Sequence, residues 1–203
     1  PYKKSASLLS QLIHFESFMT AFTFISRALA GKPYMGVGRN MMIHKQDFIS
    51  KRGYESIKGL RGGDDDLFVQ KHANSQNTQV ALGLDSVVWT YPKKTWSDYF
   101  DHKTRHLSIG SKYKSRDQIF ISTFHLSHLL SIIGIPFFAT QLLFWPILLF
   151  FLFIKLLSYR FAASKFGVHI NYMWFPLVDM LYAVLIPIIA LRSKLVKDIT
   201  WKN

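Results

Sequence analysis

The chain has 203 residues and no cysteine, which excludes disulfides and thiolate metal sites. It is also poor in acidic residues, with 12 Asp and Glu against 25 Lys and Arg, so its formal net charge is +13. A basic excess of this size suits anionic partners such as nucleotide phosphates, lipid head groups or nucleic acid. The length allows one domain plus an appendage.

A second absence divides the chain. Residues 119–154 form a run of 36 positions without Asp, Glu, Lys or Arg. Residues 119–203 hold only two acidic residues, whereas residues 1–118 hold the other 10. This imbalance predicts a water-compatible domain over 1–118 and a membrane region over 119–203.

The membrane region divides into three predicted helical segments. A span needs about 20 apolar residues, so the charge-free run is tight for two spans and a turn. We therefore predict an interfacial helix at about 119–133, with spans at about 137–157 and 173–191. Asp179 lies inside the second span, where a charge is costly in lipid, so we expect it to face protein or to lie near the surface.

Basic residues at both ends of this region predict its orientation. Residues 103–116 are rich in Lys, Arg and His, and four further cations follow the last span: Arg192, Lys194, Lys197 and Lys202. Both ends are thus expected on the cytoplasmic side, which requires an even number of spans and favours two.

The stretch 61–68, with the sequence RGGDDDLF, holds the main candidate for chemistry. Asp64, Asp65 and Asp66 follow two glycines and precede a predicted helix from Leu67 to about Ala73. Helix capping and the helix dipole explain one carboxylate there, but three adjacent like charges exceed what a cap needs. A carboxylate in this place can act as a general base if a substrate hydroxyl comes within hydrogen-bond reach.

A glycine-bearing bend precedes this acidic stretch. Gly36 and Gly38 permit a positive φ or a close approach of the backbone to a ligand. Arg39 and Asn40 follow, and the Asn40 side chain can both donate and accept hydrogen bonds. The alternative is a plain β-turn.

A basic cluster follows the acidic stretch at His102, Lys103, Arg105 and His106. Trp96, Tyr99, Lys103 and His106 have the spacing of one helical face. Such a cluster can be a solvated face, or its cations can bind a pyrophosphate and stabilise a departing phosphate.

Two further segments have a clear periodicity. Residues 5–30 predict an amphipathic helix that packs on its own domain, or that lies against a membrane or other helices of the protein. Residues 77–92 alternate and are rich in β-branched and aromatic side chains, which predicts strands.

In this order the motifs resemble the C-terminal half of membrane-bound inverting family 2 glycosyltransferases, relatives of cellulose, hyaluronan and ceramide-glucosyl synthases. The motifs that carry the resemblance are GVGRN at 36–40, RGY at 52–54, GDDDL at 63–67 and TRH at 104–106. The resemblance implies an α/β fold, namely the acceptor half of a GT-A catalytic domain followed by C-terminal membrane helices.

The resemblance also implies a function, the transfer of one sugar from a nucleotide sugar to an acceptor hydroxyl with inversion. The base falls within Asp64–Asp66: alignment backwards from Leu67 gives Asp64, and alignment forwards from Gly63 gives Asp65. Gly38, Arg39 and Asn40 correspond to a loop near the acceptor or the donor sugar.

The family's pyrophosphate-contacting motif falls on His102, Lys103, Arg105 and His106. Arg105 matches this motif. His102 stands where Gln or Arg is usual and His106 where Trp is usual, which argues against processive polysaccharide synthesis and leaves single transfer open.

Nothing in the chain resembles the donor-binding half with its DxD metal site. We expect that half upstream of Pro1, and Mg²⁺ or Mn²⁺ only in the full-length enzyme. The implied partners are a nucleotide sugar, a lipid-linked or glycan acceptor and membrane lipid, but not nucleic acid. The implied location is a bacterial inner membrane, with the catalytic part cytoplasmic.

Two other functions fit parts of the sequence. The chain can be a non-catalytic, basic, membrane-anchored protein that binds anionic lipid or nucleic acid. It can also be a transporter fragment with Asp179 as a coupling site, although two spans are few for a transport path.

Overall fold

The structure is a computed structural model that describes residues 2–3, 6–58, 62–168 and 171–196. Within these ranges it has seven α-helices: α1 (Leu8–Leu29), α2 (Lys45–Ser50), α3 (Asp64–His72), α4 (Trp96–Ile109), α5 (Ser115–Ala139), α6 (Trp145–Lys165) and α7 (Phe175–Leu195). Short 3-10 turns lie at Gly38–Asn40, Glu55–Ile57, Leu84–Ser86, Gly110–Lys112 and Leu142–Phe144. Arg61, Lys197 and Lys202, which the sequence arguments used, lie outside the described residues.

The predicted α/β GT-A fold is wrong, because the structure is 70% helical and its described residues contain no strand or sheet. In the part of the chain that the structure describes, the β-pairing of the segment 77–92 is limited to one isolated parallel bridge between Tyr2 and Thr90. A β-rich sequence forms a strand only where a neighbouring strand covers its apolar side and pairs with its backbone. Here no strand among the described residues covers the segment, and Trp89 and Tyr91 remain 47% and 72% exposed. The fold of the described residues is all-α.

Helix boundaries follow local signals in the sequence. The Ser7 hydroxyl accepts a hydrogen bond from the backbone N–H of Ser10 and caps α1. The Thr95 hydroxyl caps α4 in the same way, through the N–H of Asp98. Gly31 follows α1 with a φ of +72°, a conformation that commonly ends helices and that glycine adopts readily.

Among the described residues, four helices are long and apolar enough to cross a membrane: α1, α5, α6 with its preceding turn, and α7. The structure therefore indicates a membrane protein. In their most apolar stretches, α1 and α7 bury 44% and 39% of their residues, against 6% each for α5 and α6. Thus α1 and α7 form the inner pair, and α5 and α6 lie on the outside.

The helices α5 and α6 form a hairpin, because only residues 140–144 connect them. The helix α5 contains the predicted interfacial segment at 119–133 and the start of the predicted span at 137–157, so no break separates the two segments. The turn satisfies its own polar groups: the Trp145 indole N–H donates to the Ala139 carbonyl at 3.0 Å. The predicted span at 173–191 corresponds to α7, and the number of spans stays a prediction.

The main core lies between α1, α4, α6 and α7, and so joins both sides of residue 118. Its centre is aromatic. Phe15 of α1 packs edge-to-face with Tyr159, Phe175 and Tyr182 at centroid distances of 5.7–6.2 Å. Such pairs contribute beyond the area they bury.

Candidate functional site

Gly63 sets the position of the acidic stretch. It precedes α3 with a φ of +74°, where side-chain-bearing residues are strained. A Cβ on Gly63 would also lie 2.3 Å from Cγ2 of Ile109, the last residue of α4. Only glycine allows this contact, and it brings the start of α3 against the end of α4.

The three carboxylates at the start of α3 have three different environments. Asp66 is only 6% exposed and accepts hydrogen bonds from the Tyr113 hydroxyl at 2.6 Å and the Gly36 N–H at 3.3 Å. Burial raises the pKa of Asp66 to about 7, although the Tyr113 hydrogen bond acts in the opposite direction. Asp66 is therefore largely a positioning group.

Asp65 holds the glycine-bearing bend. One of its carboxylate oxygens accepts a hydrogen bond from the Gly38 N–H at 2.7 Å, and the other accepts from the Asp66 N–H at 2.9 Å. A Cβ on Gly38 would lie 3.2 Å from the Asp65 oxygen. The close approach that the glycine permits is thus an approach to Asp65.

Asp64 is the carboxylate that faces solvent. It makes no hydrogen bond or ion pair with any residue that the structure describes. No described residue occupies its carboxylate oxygens, so they are available to accept a proton from a substrate hydroxyl.

The bend itself is a 3-10 turn over Gly38–Asn40. The Arg39 guanidinium lies 5.1 Å from the centroid of the Tyr2 ring. The Asn40 amide donates to the Ser86 carbonyl at 3.0 Å, which ties the bend to the 77–92 segment. Asn40 therefore has a structural partner, and Arg39 lies against Tyr2 and close enough to α4 for its charge to act on His102.

The end of α4 lies beside the acidic stretch, through the contact of Ile109 with Gly63. Arg105 and His106 are about one turn from Ile109, which contacts Gly63. The His102 and His106 rings contact each other at a centroid distance of 4.5 Å, with their planes tilted by 50°.

Charges on neighbouring segments act on this cluster. Burial, with the positive charges of Lys93, Arg105 and Arg39, lowers the pKa of His102 to about 4. His102 is therefore neutral at pH 7 and can donate or accept a hydrogen bond. Lys93 is a cation that the sequence analysis did not select, because it lies in a different segment from α4.

Lys103 is placed elsewhere. Its ammonium forms an ion pair with Glu16 of α1, and the Tyr99 hydroxyl donates to the same carboxylate at 2.7 Å. Burial lowers the pKa of Lys103 to about 8. Tyr99 and Lys103 do share one helical face, but that face contacts α1 and not the acidic stretch.

A buried network fixes α3 to the start of α5. The Gln70 amide donates to the Tyr34 carbonyl at 2.8 Å and to the Asp117 carboxylate at 3.2 Å, and its oxygen accepts from the Lys114 N–H at 3.0 Å. Asp117 is 0% exposed and pairs with Arg27 of α1 at 2.5 Å. The acidic stretch is thus attached to helices that can enter a membrane.

A second polar cluster lies within the candidate spans. Asp179 of α7 contacts the His128 imidazole at 2.9 Å and the Lys155 ammonium at 2.5 Å. His128 lies roughly 14–17 Å along α5 from both Ile119 and Ala139, hence near the middle of the span. Of the two places predicted for Asp179, the structure shows the one that faces protein. Its partners belong to α5 and α6.

Among the described residues, no group of three or more His, Asp or Glu side chains could hold a metal ion. The divalent cation stays an expectation for a longer enzyme. No family model matches the chain, and no curated protein or solved structure matches it.

Proposed function

We propose that the chain is the acceptor-side part of a membrane-anchored glycosyltransferase, which moves one sugar from a nucleotide sugar to an acceptor hydroxyl with inversion. The observation that supports this function is a solvent-facing carboxylate, Asp64, at a helix start that lies against the end of α4, which carries Arg105. His106 of the same turn does not add a positive charge at pH 7, because burial and neighbouring cations lower its pKa to about 3. An acid–base group and a cationic surface on adjacent elements are the two parts that such a transfer needs.

In this proposal Asp64 accepts the proton of the acceptor hydroxyl. The hydroxyl oxygen forms a bond to the anomeric carbon while the bond from that carbon to the diphosphate oxygen breaks. The nucleoside diphosphate leaves with the electron pair, and Arg105 and Arg39 stabilise its negative charge. A single in-line displacement inverts the configuration.

The other two carboxylates act through position. Asp65 holds the bend that carries Arg39, through the Gly38 N–H. Asp66 fixes α3 to Tyr113 and has a pKa of about 7, so it is partly neutral at pH 7. Two of three adjacent acidic groups are thus engaged by the fold, which singles out Asp64.

The test is transfer activity of Asp64→Asn in the enzyme that includes the donor-binding part, assayed with UDP- and GDP-sugars. We expect a loss of at least about 100-fold, the usual contribution of a general base, with an unchanged thermal unfolding curve. Asp85→Asn is the matched control, because Asp85 is also an exposed carboxylate but lies in the 77–92 segment.

Wild-type turnover in Asp64→Asn would refute the assignment of the base. If the wild-type enzyme transferred no sugar but bound anionic vesicles in a salt-sensitive way, the non-catalytic membrane protein would be the better function.

A further inference from the structure

We propose that the surface where α3 meets the start of α5 binds the phosphate of an anionic membrane lipid, and that the acceptor belongs to this class. This inference deepens the proposed function and rests on it. The surface, here named the basic collar, consists of four exposed cationic residues: Lys71, Lys112, Lys114 and Arg116.

Hydrogen bonds place the collar at the membrane border. Gln70, beside Lys71, contacts the backbone of Lys114 and the side chain of Asp117. The lipid-facing side of α5 begins immediately beyond, with large apolar side chains that are 56–65% exposed and recur on one helical face: Ile119, Leu126, Leu130, Ile133 and Phe137. The collar therefore lies within a turn of the first residues that would enter hydrocarbon.

The open end of the α5–α6 hairpin carries more positive charge on its second helix. Because α6 runs antiparallel to α5, the exposed Arg160 and Lys165 lie toward the same end as the collar. The tip of the hairpin lacks charge entirely, since residues 119–154 contain no Asp, Glu, Lys or Arg. This asymmetry is typical of a helix pair whose basic end rests among anionic head groups.

Among the described residues, the three lysines of the collar have no ion-pair partner, whereas Arg116 lies 3.5 Å from the Asp117 carboxylate. Asp117, the acidic residue of α5, is fully buried and paired with Arg27. Lys71 and Lys114 of the collar both lie near His72, since their charges, together with burial and the charge of Lys51, lower the pKa of His72. Lysines grouped in this way attract a phosphate.

The distances suit an acceptor that stays in the bilayer. Asp64 is six residues from Gln70 along α3, which corresponds to roughly 9 Å. The head-group layer of a bilayer is about 5–8 Å thick on each side. A lipid whose phosphate binds the collar can therefore place a hydroxyl near Asp64. A soluble acceptor without such a phosphate would not contact the collar.

The test measures lipid selectivity with the whole protein in phosphatidylcholine bilayers. Spin-labelled phosphatidylglycerol and spin-labelled phosphatidylcholine report, by electron paramagnetic resonance, the fraction of each lipid held at the protein. We expect wild-type protein to prefer phosphatidylglycerol, and Lys71→Gln/Lys114→Gln to lose about fivefold per lysine at low salt. Lys71→Arg/Lys114→Arg should keep the preference, and Lys94→Gln is the control for loss of an exposed lysine elsewhere.

Equal retention of both lipids by the wild-type protein would overturn the lipid site. So would a double Gln variant that is as selective as Lys94→Gln. Selective retention together with a complete lack of sugar transfer would contradict the proposed function and leave the lipid site standing. Transfer to a water-soluble acceptor that the double Gln variant performs as well as wild type would overturn the assignment of the acceptor.

Discussion

At the scale of single residues, the burial of Asp66 makes a prediction about pH. Its folded-state pKa of about 7 exceeds the ordinary aspartate value of 3.8, so the folded chain binds this proton more tightly than the unfolded chain. The stability that Asp66 contributes is thus fully present below pH of about 4 and is lost as the pH rises through 7. The loss amounts to at most about 4 kcal/mol.

Thermal unfolding in detergent between pH 4.5 and 8 checks this expectation. Asp66→Asn, which stays neutral and can still bond to Tyr113, should flatten the pH dependence relative to wild type. Asp64→Asn should keep the wild-type slope, since Asp64 is exposed. Parallel slopes for wild type and Asp66→Asn would contradict the buried position of Asp66.

Sequence alone identified the carboxylates and the basic cluster but could not distinguish their members. The roles of Asp64, Asp65 and Asp66 depend on Gly38 and Tyr113, which are distant in sequence. Lys103 has the composition and spacing of a site residue, yet it pairs with Glu16, 87 residues earlier in the chain. Which face of α4 meets α1 is a matter of tertiary packing, and no local pattern encodes it.

At the scale of secondary-structure elements, local signals predicted the helices and failed for strands. The boundaries of α1 and α4 follow from Ser7, Gly31 and Thr95, because capping acts within one turn. The β-rich segment 77–92 had the right composition but lacks a neighbouring strand among the described residues. Helices satisfy their own backbones, whereas a strand depends on a partner that the sequence does not reveal.

The contact between α3 and α4 gives the second prediction. Gly63→Ala should lower stability by more than about 1 kcal/mol, because its φ is strained and its Cβ meets Ile109. In the Ile109→Ala background, Gly63→Ala should lower stability by less than it does in the wild-type protein. The clash with Ile109 is then gone, and only the strain at the positive φ is left.

Gly110→Ala is the matched control for this series. Gly110 has a helical φ, and a Cβ there would meet nothing within 4 Å, so we expect little change. Urea unfolding of the four variants measures the coupling. A Gly63→Ala variant as stable as wild type would contradict the packing of α3 on α4.

At the scale of the whole molecule, the lack of cysteine makes topology measurable. A single introduced cysteine is the only thiol, so its labelling by an impermeant maleimide in sealed vesicles reports one position. Leu143, in the hairpin turn, and Met42, in the water-compatible part, are 84% and 97% exposed. If α5 and α6 cross the membrane, Leu143→Cys and Met42→Cys should be labelled from opposite sides.

Labelling of both cysteines from the same side would support the interfacial helix that the sequence predicts at 119–133. A control labelling after detergent lysis should modify both positions.

The contact of Lys155 and Asp179 bears on how the chain enters a membrane during synthesis. Lys155 lies at the middle of α6, where an unpaired charge costs about 2.5–3.5 kcal/mol to insert, whereas Asp179 is the fifth residue of α7. The two charges belong to α6 and α7, and they neutralise each other only when both helices are present. Asp179 follows the end of α6 by 14 residues, so Lys155 enters the insertion machinery before its partner, and we expect the last two helices to leave it for lipid as a pair.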